Sequence, residues 1–221
     1  MDNNSIIKNI VYGVISTTLS HPFHVLYTMN LNNKLKLKDI IKNSSIKMYS
    51  KGYIPRTIQC ILSYIVISNI SNNVSNNYTN NNFIKYNTTG IIENLIVRQP
   101  FLTISSSLIN NKKIINKQVF YKTCKFLPIS CVNRGFYLFF SQYGKNQGES
   151  ITNNILLSNL LSVAYAIPFI TISEKSTQLI LCTNNNTRYI LNQTFNTILK
   201  SYFNVYLITR ELIFLYPILY K

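Results

Sequence analysis

Pro22-Phe23-His24-Val25-Leu26, Pro100-Phe101-Leu102-Thr103-Ile104 and Pro168-Phe169-Ile170-Thr171-Ile172 recur at intervals of 78 and 68 residues, each near the end of an apolar run. Self-similarity at such a period marks an internal repeat, and it constrains architecture before any single side chain can speak for chemistry. Each copy holds two long apolar stretches, so the 221 residues divide into repeats 1-80, 81-148 and 149-221 of one domain.

Six apolar segments follow: about Ile6 to Asn30, Ile54 to Ile70, Thr89 to Ile109, Phe126 to Tyr143, Ile151 to Leu181 and Tyr206 to Tyr220. Most are near the roughly 20 residues a helix needs to cross about 30 Å of hydrocarbon. None is purely apolar. Ser, Thr, Asn and single charges are interleaved, which suits helices with one face to lipid and another to a polar interior. A soluble helical bundle needs charged outer faces, and a chain with 13% charged residues and a mean hydropathy of +0.09 does not supply them. Asn gathers between the segments, as in Asn72 to Asn82 and Asn184 to Asn186, and Ser71 to Asn82 is expected to be a loop.

The formal charge of +16 raises the question of nucleic acid. Its distribution answers it. Of the 22 basic residues, six lie in Asn30 to Lys51, five in Asn111 to Lys125 and three in Lys175 to Lys200, each group following a Pro-Phe site. Basic residues in alternate connectors are the positive-inside pattern of a multi-pass membrane protein. The connectors also predict short amphipathic surface helices, at Leu37 to Lys42 with Ser45 to Gly52, and at Arg188 to Phe195 with Ile198 to Tyr202.

Cys60, Cys124, Cys131 and Cys182 show neither CxxC nor Cys/His spacing, so neither zinc nor a disulfide framework is expected. The segment Met1-Asp2-Asn3-Asn4-Ser5 carries no Arg-rich transit pattern and no charged n-region, which predicts internal targeting information. With two histidines, six acids and no nucleophile-base spacing, Gly-rich phosphate loop or metal-ligand cluster, no enzyme activity and no cofactor are expected.

The stretch Gly13 to Pro22, the entry Lys51-Gly52-Tyr53-Ile54-Pro55-Arg56, its echo Phe126-Leu127-Pro128 and the start Arg210-Glu211-Leu212-Ile213-Phe214 together resemble the mitochondrial carrier family. The resemblance covers the whole chain in compressed form. It implies an all-α membrane protein of six transmembrane helices, arranged as three pseudo-threefold repeats with short matrix-side surface helices and both termini on the intermembrane-space side. Odd-numbered helices of that family carry Pro-x-acid-x-x-base, whose ion pairs close the matrix side. Pro22, Pro100 and Pro168 are therefore the kinks. The acid positions hold His24, Leu102 and Ile170, and the base positions hold Tyr27, Ser105 and Ser173, so no ionic pair remains and His24 has no partner among those places. Glu174 and Lys175 fall one and two places beyond the third base position, and a helix turns about 100° per residue. For the opposite gate, Gln142 and Lys145 keep a polar residue and a base at the family's spacing.

The resemblance further implies solute contacts at Gln59, at Ile129 with Ser130, and at Arg210, with Arg134 and Arg210 as the deepest charges and Glu93 and Glu211 as their possible partners. The arginines favour an anionic solute. Cardiolipin is an implied lipid partner, best matched at the Lys51-Gly52 turn. Two functions stay open: solute transport across the mitochondrial inner membrane by alternating access, or a non-transporting, carrier-derived structural subunit of a larger inner-membrane respiratory complex.

Overall fold

The computed structural model describes residues 3–33, 45–77, 81–109, 117–181, 198 and 200–219. Among them the regular structure is helical, with no strand. Helices α1 (Asn3–Asn33), α2 (Ile46–Ser50), α3 (Tyr53–Asn77), α4 (Asn82–Glu93), α5 (Gln99–Ile109), α6 (Lys117–Ile151), α7 (Ile155–Leu181) and α8 (Val205–Leu219) follow in chain order. A π turn, Asn94–Arg98, joins α4 to α5, so the six apolar segments become six long helical passages. Each passage packs chiefly on its neighbours in the chain, and α8 returns to α1 as well as α7, which closes a ring.

Several limits shift outward. The helix α3 continues through Asn77, so most of the expected Asn-rich loop is helical, and Asn81 caps α4 by accepting from the Phe83 amide at 2.9 Å. Lys117, Lys122 and Lys125, counted above in a connector, ride on the first turns of α6. Unbranched Lys and Gln are good helix formers, so the helix extends past its apolar stretch. The same helix runs to Ile151, three residues beyond the repeat limit at 148. In the first connector α2 occupies Ile46–Ser50, whereas Leu37 to Lys42 and Arg188 to Phe195 lie outside the described residues.

The three proline motifs share one register. Pro22 and Pro168 sit inside α1 and α7, and Pro100 is the second residue of α5. In every copy the residue before the proline and those two, three and five places after it are buried, while the phenylalanine is half-buried. Spacings of three place these positions on one helix face, so His24, Leu102 and Ile170, and Tyr27, Ser105 and Ser173, all face the interior. Pro100 differs in its backbone setting. The Gln99 amide donates to Asn94 O five residues back, so a π turn precedes the residue that has no N–H to give.

Close approach explains the tightest contact. Gly144 and Gly148 of α6 face Ser162 and Ser158 of α7, and a Cβ on either glycine would run into the facing backbone. The Ser162 hydroxyl donates across the same seam to Ser141 O at 2.7 Å. Small residues four apart on both helices let backbones approach, a packing mode suited to an apolar solvent.

Surface and interior are inverted relative to a water-soluble bundle. Among the described residues buried polar side chains outnumber buried apolar ones, while Ile7, Ile15, Leu19, Ile54, Ile96, Ile129, Leu156 and Tyr216 stand on the outside. This distribution also explains a result that departs from the six expected spans. Among the described residues, Ile155–Ser173 alone is long and apolar enough to pass as a membrane span by composition, with mean hydropathy 2.0. In the other passages inward-facing Ser, Thr, Asn and Arg lower the average of a helix whose outer face stays apolar.

Candidate functional site

Lysines and arginines part company in this chain. Among its five arginines, Arg56, Arg98, Arg134 and Arg210 are buried in the ring, whereas lysines dominate the connectors. A guanidinium is more weakly hydrated than an ammonium and offers five donors in a planar fork, so it is the cation better suited to burial. Each of these arginines lies on a different passage: Arg56 on α3, Arg98 at the end of the π turn, Arg134 on α6 and Arg210 on α8.

Among the described residues the buried acids are Glu93 and Glu211. Arg134 Nε donates to Glu93 Oε2 at 2.7 Å, and the other carboxylate oxygen accepts from the Ser63 hydroxyl. Arg134 also lies over the Tyr137 ring, 4.2 Å from its centre. Arg210 Nε donates to Glu211 Oε1 at 2.8 Å, and Glu211 Oε2 accepts from the Tyr137 hydroxyl at 2.9 Å. Tyr137 thus joins the two ion pairs into one cluster.

Arg210 reaches further. Its Nη1 lies 3.0 Å from His24 Nδ1, and its guanidinium stands 5.1 Å from the centre of the Tyr27 ring. His24 therefore does have a partner, on the last helix rather than at the positions after the prolines. Arg56 Nη1 donates to Gln59 Oε1 at 2.7 Å, and among the described residues no carboxylate lies within 4.0 Å of it. Asn94 Nδ2 donates to Ser130 Oγ at 3.0 Å, and Ser130 Oγ donates to Gln99 Oε1 at 2.8 Å. Gln59, Ser130, Arg134 and Arg210 are all buried in the interior. Ile129 is not: it is 59% exposed on the outer face, because one residue rotates a helix by about 100° and Ser130 takes the inward side.

The remaining expected positions have structural partners. Lys145 donates to the Leu219 carbonyl at the end of α8 and pairs with Glu149 at 3.5 Å, while Gln142 Nε2 donates to Asn146 Oδ1 at 2.8 Å. At the Lys51-Gly52 turn, Gly52 has φ +72°, a left-handed conformation that favours glycine. His21 Nε2 lies 3.1 Å from Lys51 O, and the Ser105 hydroxyl donates to Gly52 O at 3.1 Å. Ser105, five places after Pro100, thus ties the third passage to the entry of the second.

The sum is a buried, donor-rich centre. Among the described residues, Arg56 Nε, Arg134 Nη2 and Gln99 Nε2 are buried donors that meet no acceptor. Such a centre can receive an anion, since unmet buried donors and net positive charge are both relieved by one. Arg56 and Arg98 are the members that motif spacing missed; the signal that finds them is the sorting of arginines into apolar segments and lysines into connectors. In comparisons with known proteins the chain matches no family model, no curated protein and no solved structure.

Proposed function

We propose that this chain is a mitochondrial-carrier-like protein of the inner membrane that moves a small anionic solute by alternating access. The observation that carries the reading is the inverted ring: six helical passages closed in chain order, apolar outside, with four arginines and two glutamates buried at the centre. The shared inward register of the three proline motifs supports a pseudo-threefold arrangement of six membrane spans. The connectors that follow α1, α5 and α7 carry basic residues and would lie on one side, the matrix side by the positive-inside rule, with both termini opposite. On this reading Lys51 and Gly52 form the place for a cardiolipin headgroup. Arg134 and Arg210 belong to the solute site together with Gln59 and Ser130.

A second reading is favoured by one observation. The interior positions of the proline motifs hold Leu102 and Ile170 where gate acids would stand, and Arg134 and Arg210 already have carboxylate partners. These features suit a carrier-derived protein that no longer transports and serves as a structural subunit of an inner-membrane complex. Reconstitution into liposomes separates the two. Saturable uptake of phosphate, carboxylates or nucleotides, lost in Arg210→Ala, is expected of a carrier. Failure of uptake together with co-migration with a respiratory complex on native gels would establish the structural role.

A further inference from the structure

Aromatic rings lie just beyond the polar centre on every second passage. Gln59 of α3 is followed by Tyr64, Arg134 of α6 by Tyr137 and Arg210 of α8 by Phe214, three to five residues later in each case, and all six side chains are buried. At 1.5 Å per residue the rings stand about 4.5 to 7.5 Å further along their helices. Neighbouring passages run in opposite senses. Ser63 meets Glu93 while Gly52 meets Ser105, Asn94 meets Ser130 while Gly90 faces Gly135, and Gly144 faces Ser162 while Gly148 faces Ser158. At the last step Leu212 of α8 meets Asn159 near the start of α7, while Tyr202, just before α8, lines one cavity with Pro168. The second, fourth and sixth passages are therefore parallel. Each follows a basic connector, so the three rings lie on the same side of the centre, the side away from those connectors.

The rings also join across the ring of helices. These three passages are not neighbours, since α1 separates α3 from α8 and α7 separates α6 from α8, so a contact between them crosses the interior. The Tyr64 and Phe214 rings stack with centres 5.5 Å apart and 22° between their planes, and the Tyr64 hydroxyl donates to Phe214 O at 3.0 Å. The Arg134 guanidinium stands 5.6 Å from the centre of the Phe214 ring and 4.2 Å from that of Tyr137, where the ring quadrupoles attract the cation. Tyr137 in turn donates to Glu211 of α8 at 2.9 Å. Aromatic side chains packed across a lumen exclude water and ions without needing a gate of ion pairs.

We infer that Tyr64, Phe214, Arg134 and Tyr137 are a plug that shuts the polar centre off from the side of the chain termini. The inference rests on the membrane-ring reading and deepens the alternating-access proposal, because it names the barrier that must part before a solute passes to or from that side. Parting means Phe214 leaving the faces of Tyr64 and Arg134. No covalent bond is made or broken.

Cys60 is a built-in reporter. It is fully buried and lies one turn before Tyr64 on the same face of α3, on the inner side of the plug. The full chain is placed in liposomes with an N-terminal tag outside, an impermeant anionic methanethiosulfonate is added externally, and labelling of Cys60 is followed by mass spectrometry of its peptide. Wild type is expected to label slowly. Phe214→Ala, or Tyr64→Leu from the other half of the stack, is expected to raise the rate by about tenfold, since labelling follows the population of the opened state. Phe214→Tyr keeps the ring and should stay within about twofold of wild type. Leu207→Ala empties another buried place on α8, two turns earlier and on the connector side of Arg210, and so controls for general loosening. Far-UV circular dichroism reports whether each variant is folded. Fast labelling of wild-type Cys60, or folded Phe214→Ala and Tyr64→Leu that label no faster than Leu207→Ala, overturns the plug. Uptake of phosphate or carboxylates by the wild-type liposomes judges the carrier reading separately: uptake with unaltered labelling leaves transport standing without the plug, and faster labelling without uptake leaves the plug standing without transport.

Discussion

His24 Nδ1 and Arg210 Nη1 lie 3.0 Å apart although 186 residues separate them in the chain. The contact joins the first helix to the last and closes the ring with a hydrogen bond as well as with packing. His24→Leu removes the acceptor and leaves an arginine donor buried. Losing a hydrogen bond to a charged group costs about 1.5 to 3 kcal/mol, so thermal unfolding in nanodiscs should show a lower midpoint, whereas His24→Asn, which restores a polar acceptor, should recover part of it.

The ion pair between Glu93 and Arg134 invites a stricter test. Glu93→Gln leaves the guanidinium of Arg134 buried without its counter-charge, a change expected to cost about 3 to 5 kcal/mol. Adding Arg134→Met to it should restore much of the loss, because a buried pair exchanged for apolar groups is often neutral. Denaturant unfolding of the two single variants and the double variant measures the coupling.

A third prediction concerns the seam between α6 and α7. Gly148→Val introduces side-chain atoms where a Cβ alone already meets the Ser158 backbone. Overpacking of this kind costs about 1 to 3 kcal/mol. Cysteines placed on the two helices near Ser141 and Ser162 should cross-link less efficiently in the variant than in the parent.

The outer surface decides whether lipid surrounds the ring. Ile96, in the middle of the third passage, is 61% exposed. Facing lipid, Ile96→Asp should impair membrane insertion by about 2.5 to 3.5 kcal/mol; facing water, the same change would shift stability by no more than about 0.5 kcal/mol. Alkaline extraction of membranes carrying each variant distinguishes the outcomes.

What could be seen in the residues alone was the arrangement along each helix. The sixth segment was expected at about Tyr206 to Tyr220 and the helix runs Val205–Leu219. The inward face of all three proline motifs follows from their common spacing, since a helix repeats its faces every three to four residues. Relations across helices were another matter. The meeting of His24 with Arg210 depends on the last passage returning to the first, which no local pattern encodes. Ile129 was placed at the site and faces outward, because its alignment carried an ambiguity of one residue and one residue changes the face presented. Arg56, quoted only as part of an entry motif, and Arg98 were not assigned to the centre because a single arginine in an apolar segment has many structural explanations, and only several buried together make a centre.

The π turn at Asn94–Arg98 acts as a phase adjuster. A turn with a longer hydrogen-bond span alters the rotation between the residues on either side of it. It lets Glu93 and Asn94 face the ring above the turn while Leu102 and Ser105 face it below. Within this passage, length is therefore more tightly constrained than composition. A conservative substitution at Leu95 or Ile96 alters one outward contact, whereas deleting either residue takes away the extra residue that the wider turn accommodates and forces the two halves of the passage to be rejoined through an ordinary α turn.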